Sequence, residues 1–166
     1  MKIMNKFQKK LANRKEDNKG FSLVELIIVI AIMAILVGIV GTQVIPYIDK
    51  SRNAKDIQKL SGLCTDAMTA YSSNAAKLDS SSVYTIEISS TAVTVKKGEE
   101  ADTDTTLKDA FTELNSITKL SELGFESNSG KKVTKVTITC QNSNPMITVH
   151  TDVPSGTKNF TDITSK

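Results

Sequence analysis

The chain has 166 residues and a formal net charge of +3, a length that allows one compact domain of ordinary size. Residues 1–20 hold seven basic and two acidic side chains, whereas residues 21–166 hold 14 basic and 16 acidic ones. The slightly acidic remainder argues against a nucleic-acid-binding surface. Two cysteines, 76 positions apart, do not form a zinc motif.

A long apolar segment follows the basic one. From Phe21 to Ile48 the only ionisable side chain is Glu25, so 23 residues from Leu26 onward carry no charge. About 20 residues suffice for a helix to cross the hydrocarbon core of a bilayer. The preceding basic cluster places residues 1–20 in the cytoplasm and the C-terminus outside. An ordinary secretory signal does not fit, because no small-residue cleavage site follows the apolar segment.

The acidic side chain of Glu25 needs a partner, since a charge in an apolar helix costs about 3 kcal/mol on insertion scales. Cleavage between Gly20 and Phe21 creates one, because the new α-amino group of Phe21 lies one helical turn from Glu25. The pair forms either within a chain or between neighbouring chains. In a bundle of such helices it would draw subunits into register.

One short motif resembles the processing site of type IV prepilins. It reads Lys19-Gly20-Phe21-Ser22-Leu23-Val24-Glu25-Leu26, and the apolar segment follows it. The resemblance covers about residues 18–40. It implies that a prepilin peptidase cleaves after Gly20 and methylates Phe21, and that Glu25 is the assembly glutamate. It also implies storage in the cell membrane as a single-pass protein, and then assembly by an inner-membrane platform and its ATPase. The implied partners in the product are further copies of the same chain, in a helical homopolymer on the cell surface, and other pilins.

The apolar segment departs from the common family pattern near its end. Family members often have proline where this chain has Thr42, and here Pro46 comes four residues later. Gly38, Gly41 and Pro46 each weaken a helix, so we predict that residues 38–46 kink or stretch in the filament. The alternative is that the two glycines only allow close approach of helices.

A helical pattern continues beyond the apolar segment. Apolar side chains recur at spacings of three and four at Ile57, Leu60, Cys64, Ala67, Met68, Tyr71, Ala75 and Leu78. The polar face is predicted to carry Lys55, Asp56, Lys59, Asp66 and Lys77. This pattern predicts one helix from Phe21 to Leu78, of which the second half is amphipathic.

The rest of the chain alternates like a small sheet. Residues 83–88 and 91–96 predict a hairpin, 133–140 and 146–151 predict two further strands, and 107–123 predict a helix ending at Gly124. The tail from Pro154 shows weak patterning and is predicted to be loosely ordered. The expected fold is therefore α+β and pilin-like: a long N-terminal helix packed on a small antiparallel sheet. The expected division is 1–20 leader, 21–48 membrane and filament helix, and 49–166 extracellular head.

No motif in the head predicts catalysis, a metal or a cofactor. The acidic loop with Asp102 and Asp104 lacks the spacing of a calcium loop, and His150 alternates with threonines as a surface strand residue does. Cys64 falls on the buried helix stripe and Cys140 on the apolar face of a strand. They form either a disulfide outside the cell or two reduced buried thiols.

These features predict a structural subunit of a type IV pilus rather than an enzyme. Such a filament would serve adhesion, aggregation or twitching motility. One alternative is a pseudopilin of a type II secretion or DNA-uptake machine, which shares the processing motif. Another is a signal-anchored binding domain that keeps residues 1–20 and never polymerises.

Overall fold

The computed structural model describes residues 20–165. The predictions for the basic leader, up to Lys19, lie outside these residues. The chain divides into two compact units, Met1–Ile45 and Pro46–Lys166, and each is described by itself. The division into leader, membrane helix and head stays a prediction.

Helix α1 spans Leu23–Ser73. The predicted end at Leu78 was wrong, because Asn74 closes the helix. Its side-chain amide donates to the carbonyl of Ala70 at 3.0 Å, and its own carbonyl accepts the amides of Lys77 and Leu78 in a turn. Leu78 is nevertheless buried, with 8% of its surface exposed.

Six strands form one antiparallel sheet in the order β3-β2-β1-β4-β5-β6. Their bounds are β1 Tyr84–Ile88, β2 Val93–Lys97, β3 Glu100–Ala101, β4 Lys135–Cys140, β5 Ile147–Asp152 and β6 Ile163–Thr164. The predicted hairpin is confirmed as β1 and β2, and the two later strands as β4 and β5. The short outer strands β3 and β6 were not predicted.

The core lies between the sheet and the second half of α1. Strands β1, β4 and β5 alternate buried and half-exposed residues, and in register Ile138 of β4 stands between Ile86 and Val149. Helix α1 contributes the buried residues Leu60, Leu63, Cys64, Ala67, Ala70 and Tyr71. The predicted α+β, pilin-like arrangement is confirmed.

The single helix predicted up to Leu123 is two shorter elements. Helix α2 spans Thr106–Asn115, and a 3₁₀ helix spans Leu120–Leu123. Ser116 separates them, since its φ of 58° is left-handed and its amide closes the last turn of α2. Gly124 ends the 3₁₀ helix with a φ of 56°, so the predicted glycine cap terminates a different element.

The predicted loose tail was also wrong. Phe160 is only 7% exposed, and its ring centroid lies 6.1 Å from that of Phe125. Ser165 then closes β6 onto β5, because its amide donates to the carbonyl of Ile147 and its hydroxyl accepts the amide of Ile147. These contacts connect the last described residues to the sheet.

Candidate processing and assembly site

Gly20 and Phe21 form the predicted cleavage site, and they lie outside helical structure. Both are exposed, and α1 begins only at Leu23. A Cβ atom added at Gly20 would meet nothing within 4 Å. The peptide bond between the two residues therefore lies in accessible, non-helical backbone.

Glu25 begins α1 together with Ser22. The backbone amide of Ser22 donates to the Glu25 carboxylate at 2.9 Å, and the Ser22 hydroxyl accepts the amide of Val24 at 3.4 Å. The arrangement is close to a capping box, with the glutamate bond to the serine amide in place and the serine hydroxyl accepting the second rather than the third helical amide. The sequence contains the Ser-x-x-Glu pattern that predicts these bonds, although only the charge of Glu25 was considered in the sequence-based prediction. Glu25 therefore supports its own helix as well as being available to a partner.

The apolar half of α1 presents its side chains on every side. All residues from 21 to 48 are exposed, among them Phe21 at 85% and Val29 at 44%. By length and composition, α1 qualifies as a membrane-spanning helix. A helix that is apolar all round is stable only when something apolar surrounds it. This half of α1 thus requires lipid or other helices.

The residues predicted to break the helix lie within it. Helix α1 is continuous through Gly38, Gly41 and Pro46. The Thr42 hydroxyl donates to the backbone carbonyls of Gly38 at 3.3 Å and Ile39 at 3.1 Å. Because α1 is unbroken here, kinking or stretching of residues 38–46 stays a prediction for the assembled subunit.

Asp56 is fully buried, so its predicted place on the solvent face was wrong. Its carboxylate accepts the backbone amides of Glu126 at 3.0 Å and Ser127 at 2.9 Å. The backbone of residues 124–130 covers it closely. A Cβ atom at Gly130 would stand 2.3 Å from Asp56 Oδ2, which only glycine avoids.

Two further side chains of α1 bind the same loop. Asp49 Oδ1 accepts the amide of Asn128 at 2.8 Å, and Lys59 Nζ donates to the carbonyl of Gly124. We call Asp49, Asp56 and Lys59 the loop clamp. It attaches residues 124–130 to the first turns of α1 in the unit Pro46–Lys166.

The two cysteines lie in the same core as free thiols. Cys64 is 6% and Cys140 0% exposed. Burial raises the pKa of the Cys140 thiol to about 12, with a smaller contribution from the nearby charge of Cys64. Burial also raises the pKa of Cys64. A disulfide between them stays a prediction.

His150 lies on the outer face of the sheet within a set of charged contacts. Its Nδ1 lies 2.7 Å from Asp162 Oδ1, and its Nε2 lies 3.6 Å from Asp152 Oδ1. Lys135 connects Asp152 to Glu87, at 3.4 Å from each. No group of three or more His, Cys, Asp or Glu side chains within residues 20–165 is placed to hold a metal ion.

Comparison with known families gives one match, at the N-terminus. Residues 17–41 match the family described as the prokaryotic N-terminal methylation motif. The chain carries the type IV prepilin and pseudopilin signature. This signature spans Gly20, Phe21 and Glu25 and the first turns of α1. No curated protein and no solved structure matches the chain significantly.

Proposed function

We propose that the chain is a structural subunit of a type IV pilus. A prepilin peptidase cleaves it after Gly20 and methylates the amine of Phe21, and the subunit then polymerises into a cell-surface filament. The filament serves adhesion, aggregation or twitching motility. The observation that carries this proposal is the exposed apolar half of α1, most of which lies within the prepilin signature at residues 17–41.

The order of these parts explains why one helix has two uses. Cleavage between Gly20 and Phe21 precedes the apolar segment, so the mature subunit keeps it. Exposed apolar surface costs about 25 cal/mol per Å² in water. The segment is therefore stored in the membrane, and it leaves the membrane only into a bundle of identical helices. The assembly platform and its ATPase supply the work of that transfer.

Glu25 supplies the specific contact of this assembly. The Ser22 amide binds Glu25 Oε2, and no hydrogen bond to Oε1 is present within residues 20–165. A methylated α-amino group on Phe21 of a neighbouring subunit pairs with this carboxylate. Because an unpaired charge is disfavoured among apolar helices, the pair selects the register of the incoming subunit.

A pseudopilin of a type II secretion or DNA-uptake machine is the alternative, since it carries the same signature. Both readings make the protein structural rather than enzymatic. Long filaments on cells distinguish them, because a pseudopilin forms only a short assembly within its machine.

The deciding experiment is the intact mass and N-terminal sequence of protein sheared from cells, with the membrane fraction of the same cells as control. We expect a sheared chain that begins at methylated Phe21, and the same processed chain in the membrane store. A chain that begins at Met1 and occurs only in membranes would reject the proposal. That result would indicate a signal-anchored binding domain.

A further inference from the structure

Two parts of the chain that are distant in sequence and rich in basic side chains pack together near the start of the second unit. Lys50, Arg52 and Lys55 lie on α1, and Lys131 and Lys132 lie on the 3₁₀ helix Gly130–Lys132. All five are exposed, and none forms an ion pair within residues 20–165. We call these five residues the basic patch.

The loop clamp is what brings the two groups together. Asp56, next to Lys55, accepts the Ser127 amide at 2.9 Å. Gly130, next to Lys131, packs so closely on Asp56 that a Cβ atom there would stand 2.3 Å from Oδ2. The 3₁₀ helix that carries Lys131 and Lys132 is thereby held against the turn of α1 that contains Asp56.

The charge of the second unit is polarised as a result. Residues 46–59 of α1 and residues 124–132 together hold six cations, the five patch residues and Lys59, and the carboxylates of Asp49, Asp56 and Glu126, a net charge of +3. The rest of residues 46–166 holds eight cations and twelve carboxylates, a net charge of −4. The positive charge is therefore concentrated at one place, and the side chain of Asp56 there is buried.

The patch begins where the apolar segment ends. Ile48 is the last residue of that segment, and the Lys50 ammonium lies 5.7 Å from the centroid of the Tyr47 ring. Tyr47 is 74% exposed. Exposed tyrosines are typical of both membrane–water interfaces, and lysine or arginine side chains near the end of an apolar helix reach to the headgroup level.

We propose that the basic patch binds the headgroups of anionic phospholipids on the outer side of the membrane while the subunit is stored there. This inference rests on the proposed membrane storage. Lysine and arginine donate charge-assisted hydrogen bonds to phosphate oxygens. The loop clamp acts as the positioning element, because it holds the 3₁₀ helix of Lys131 and Lys132 against the turn of α1 that contains Asp56. Binding ends when the subunit leaves the membrane, so it holds subunits in the storage state.

The test uses the full chain reconstituted in nanodiscs of equal parts phosphatidylcholine and phosphatidylglycerol. Native mass spectrometry counts the two lipids that stay bound to the protein. The variant Lys131→Gln/Lys132→Gln removes two patch charges, and Lys108→Gln/Lys158→Gln is the matched control at exposed positions elsewhere. We expect wild type and control to retain phosphatidylglycerol preferentially. In the patch variant, the ratio of bound phosphatidylglycerol to bound phosphatidylcholine should fall about fivefold for each lysine removed.

A second patch variant, Arg52→Gln/Lys55→Gln, changes the α1 side alone and gives an independent measurement. Equal lipid preference in wild type and both patch variants overturns the proposal. A patch variant that keeps the lipid preference but no longer forms filaments also overturns the proposal, because the patch then binds acidic residues of a second copy of the chain. Bound lipid is counted on purified chain, whether or not residues 1–20 have been removed. Failure of the pilus proposal, which is tested by processing and filaments, is therefore distinguishable from failure of this one.

Discussion

The carboxylate of Glu25 accepts a hydrogen bond from the backbone amide of Ser22, 2.9 Å away in the same chain. The residue proposed to align subunits therefore also caps its own helix. The two roles need different properties, since capping needs a hydrogen-bond acceptor and pairing needs a negative charge. Glutamine at position 25 keeps the hydrogen-bond acceptor and removes the negative charge.

We therefore expect Glu25→Gln and Glu25→Ala to fail similarly in filament assembly, with processing and membrane insertion intact. Quantifying sheared filaments and mature chain by immunoblot measures this. The control is Ser22→Ala, which removes the hydroxyl bond to Val24 and leaves the charge of Glu25. Normal filament yield from Glu25→Gln would show that capping, not charge, is what assembly requires.

Cleavage is expected to depend on the size of residue 20. Gly20→Val should accumulate full-length precursor, because a branched side chain blocks the small subsite that the signature implies. A Cβ atom at this position meets nothing within 4 Å, so the substitution leaves the chain's own packing unchanged. Gly20→Ala, which adds only a methyl group, is the control and should be processed. Normal maturation of Gly20→Val, read by intact mass, would place the cleavage site elsewhere.

Removal of the buried carboxylate of the loop clamp is expected to destabilise the head strongly. Asp56→Ala leaves the amides of Glu126 and Ser127 without their acceptor, and the Ser127 amide is buried. We expect a loss of about 2–4 kcal/mol in the free energy of unfolding. Chemical denaturation monitored by circular dichroism measures it.

Asp49→Ala is the matched comparison within the same clamp. It removes one hydrogen bond, to the exposed Asn128, so we expect a loss of about 1 kcal/mol or less. Equal losses for Asp49→Ala and Asp56→Ala would contradict the central place of Asp56 in the clamp.

The two core thiols should resist alkylation in the folded protein. Both are buried, and burial raises the pKa of Cys140 to about 12, so little of the reactive thiolate is present at neutral pH. Unfolding without reductant should release two reactive thiols if Cys64 and Cys140 are reduced. If they are bonded, neither should react until reductant is added. Mass spectrometry of alkylated protein counts them, and fast labelling of the native chain would contradict their burial.

Acid should weaken the turn after α1 through Asp79. Hydrogen bonds from the side chain and amide of Ser81, then from Ser82 and Lys97, hold the pKa of Asp79 well below its usual value. A lowered folded-state pKa contributes stability above about pH 4, where the unfolded carboxyl ionises, and this contribution is lost as the pH falls below that value.

The melting temperature of the wild type should therefore fall more steeply from pH 5 to pH 2 than that of Asp79→Asn. Asp109→Asn, at an exposed position of α2, is the control and should retain the wild-type slope. If the melting temperatures of wild type and Asp79→Asn fall equally between pH 5 and pH 2, ionised Asp79 does not stabilise the turn after α1.

Periodic features of this fold were predictable from sequence. The alternation of Val136, Ile138 and Cys140 correctly placed β4 and its buried face, and the hairpin followed from two alternating segments. The two-residue strand β6 was not predictable in this way, because two residues carry no period. Its position depends on Ser165 and on Phe160, which reach β5 and the core.

Asp56 shows the other limit of sequence reasoning. Helical spacing shows which side of α1 the residue lies on, and an acidic residue on the polar side is expected to face solvent. Its burial is decided by Glu126 and Ser127, 70 and 71 residues later. By contrast, the pairing of Ser22 with Glu25 is local, and the sequence contains the full signal for it.

The outer strands of the sheet have a consequence for crowding. An unpaired strand edge invites a strand from another molecule, and a long one fuses sheets into aggregates. Both edges here, β3 and β6, are only two residues long. In a filament, identical heads are held at a very high local concentration, the condition under which long edges would join. Because β3 covers only Lys96 and Lys97 of β2, and β6 covers only Thr148 and Val149 of β5, each edge is divided into short stretches and offers a neighbour no long continuous strand. Heads can therefore stand side by side and remain separate folding units.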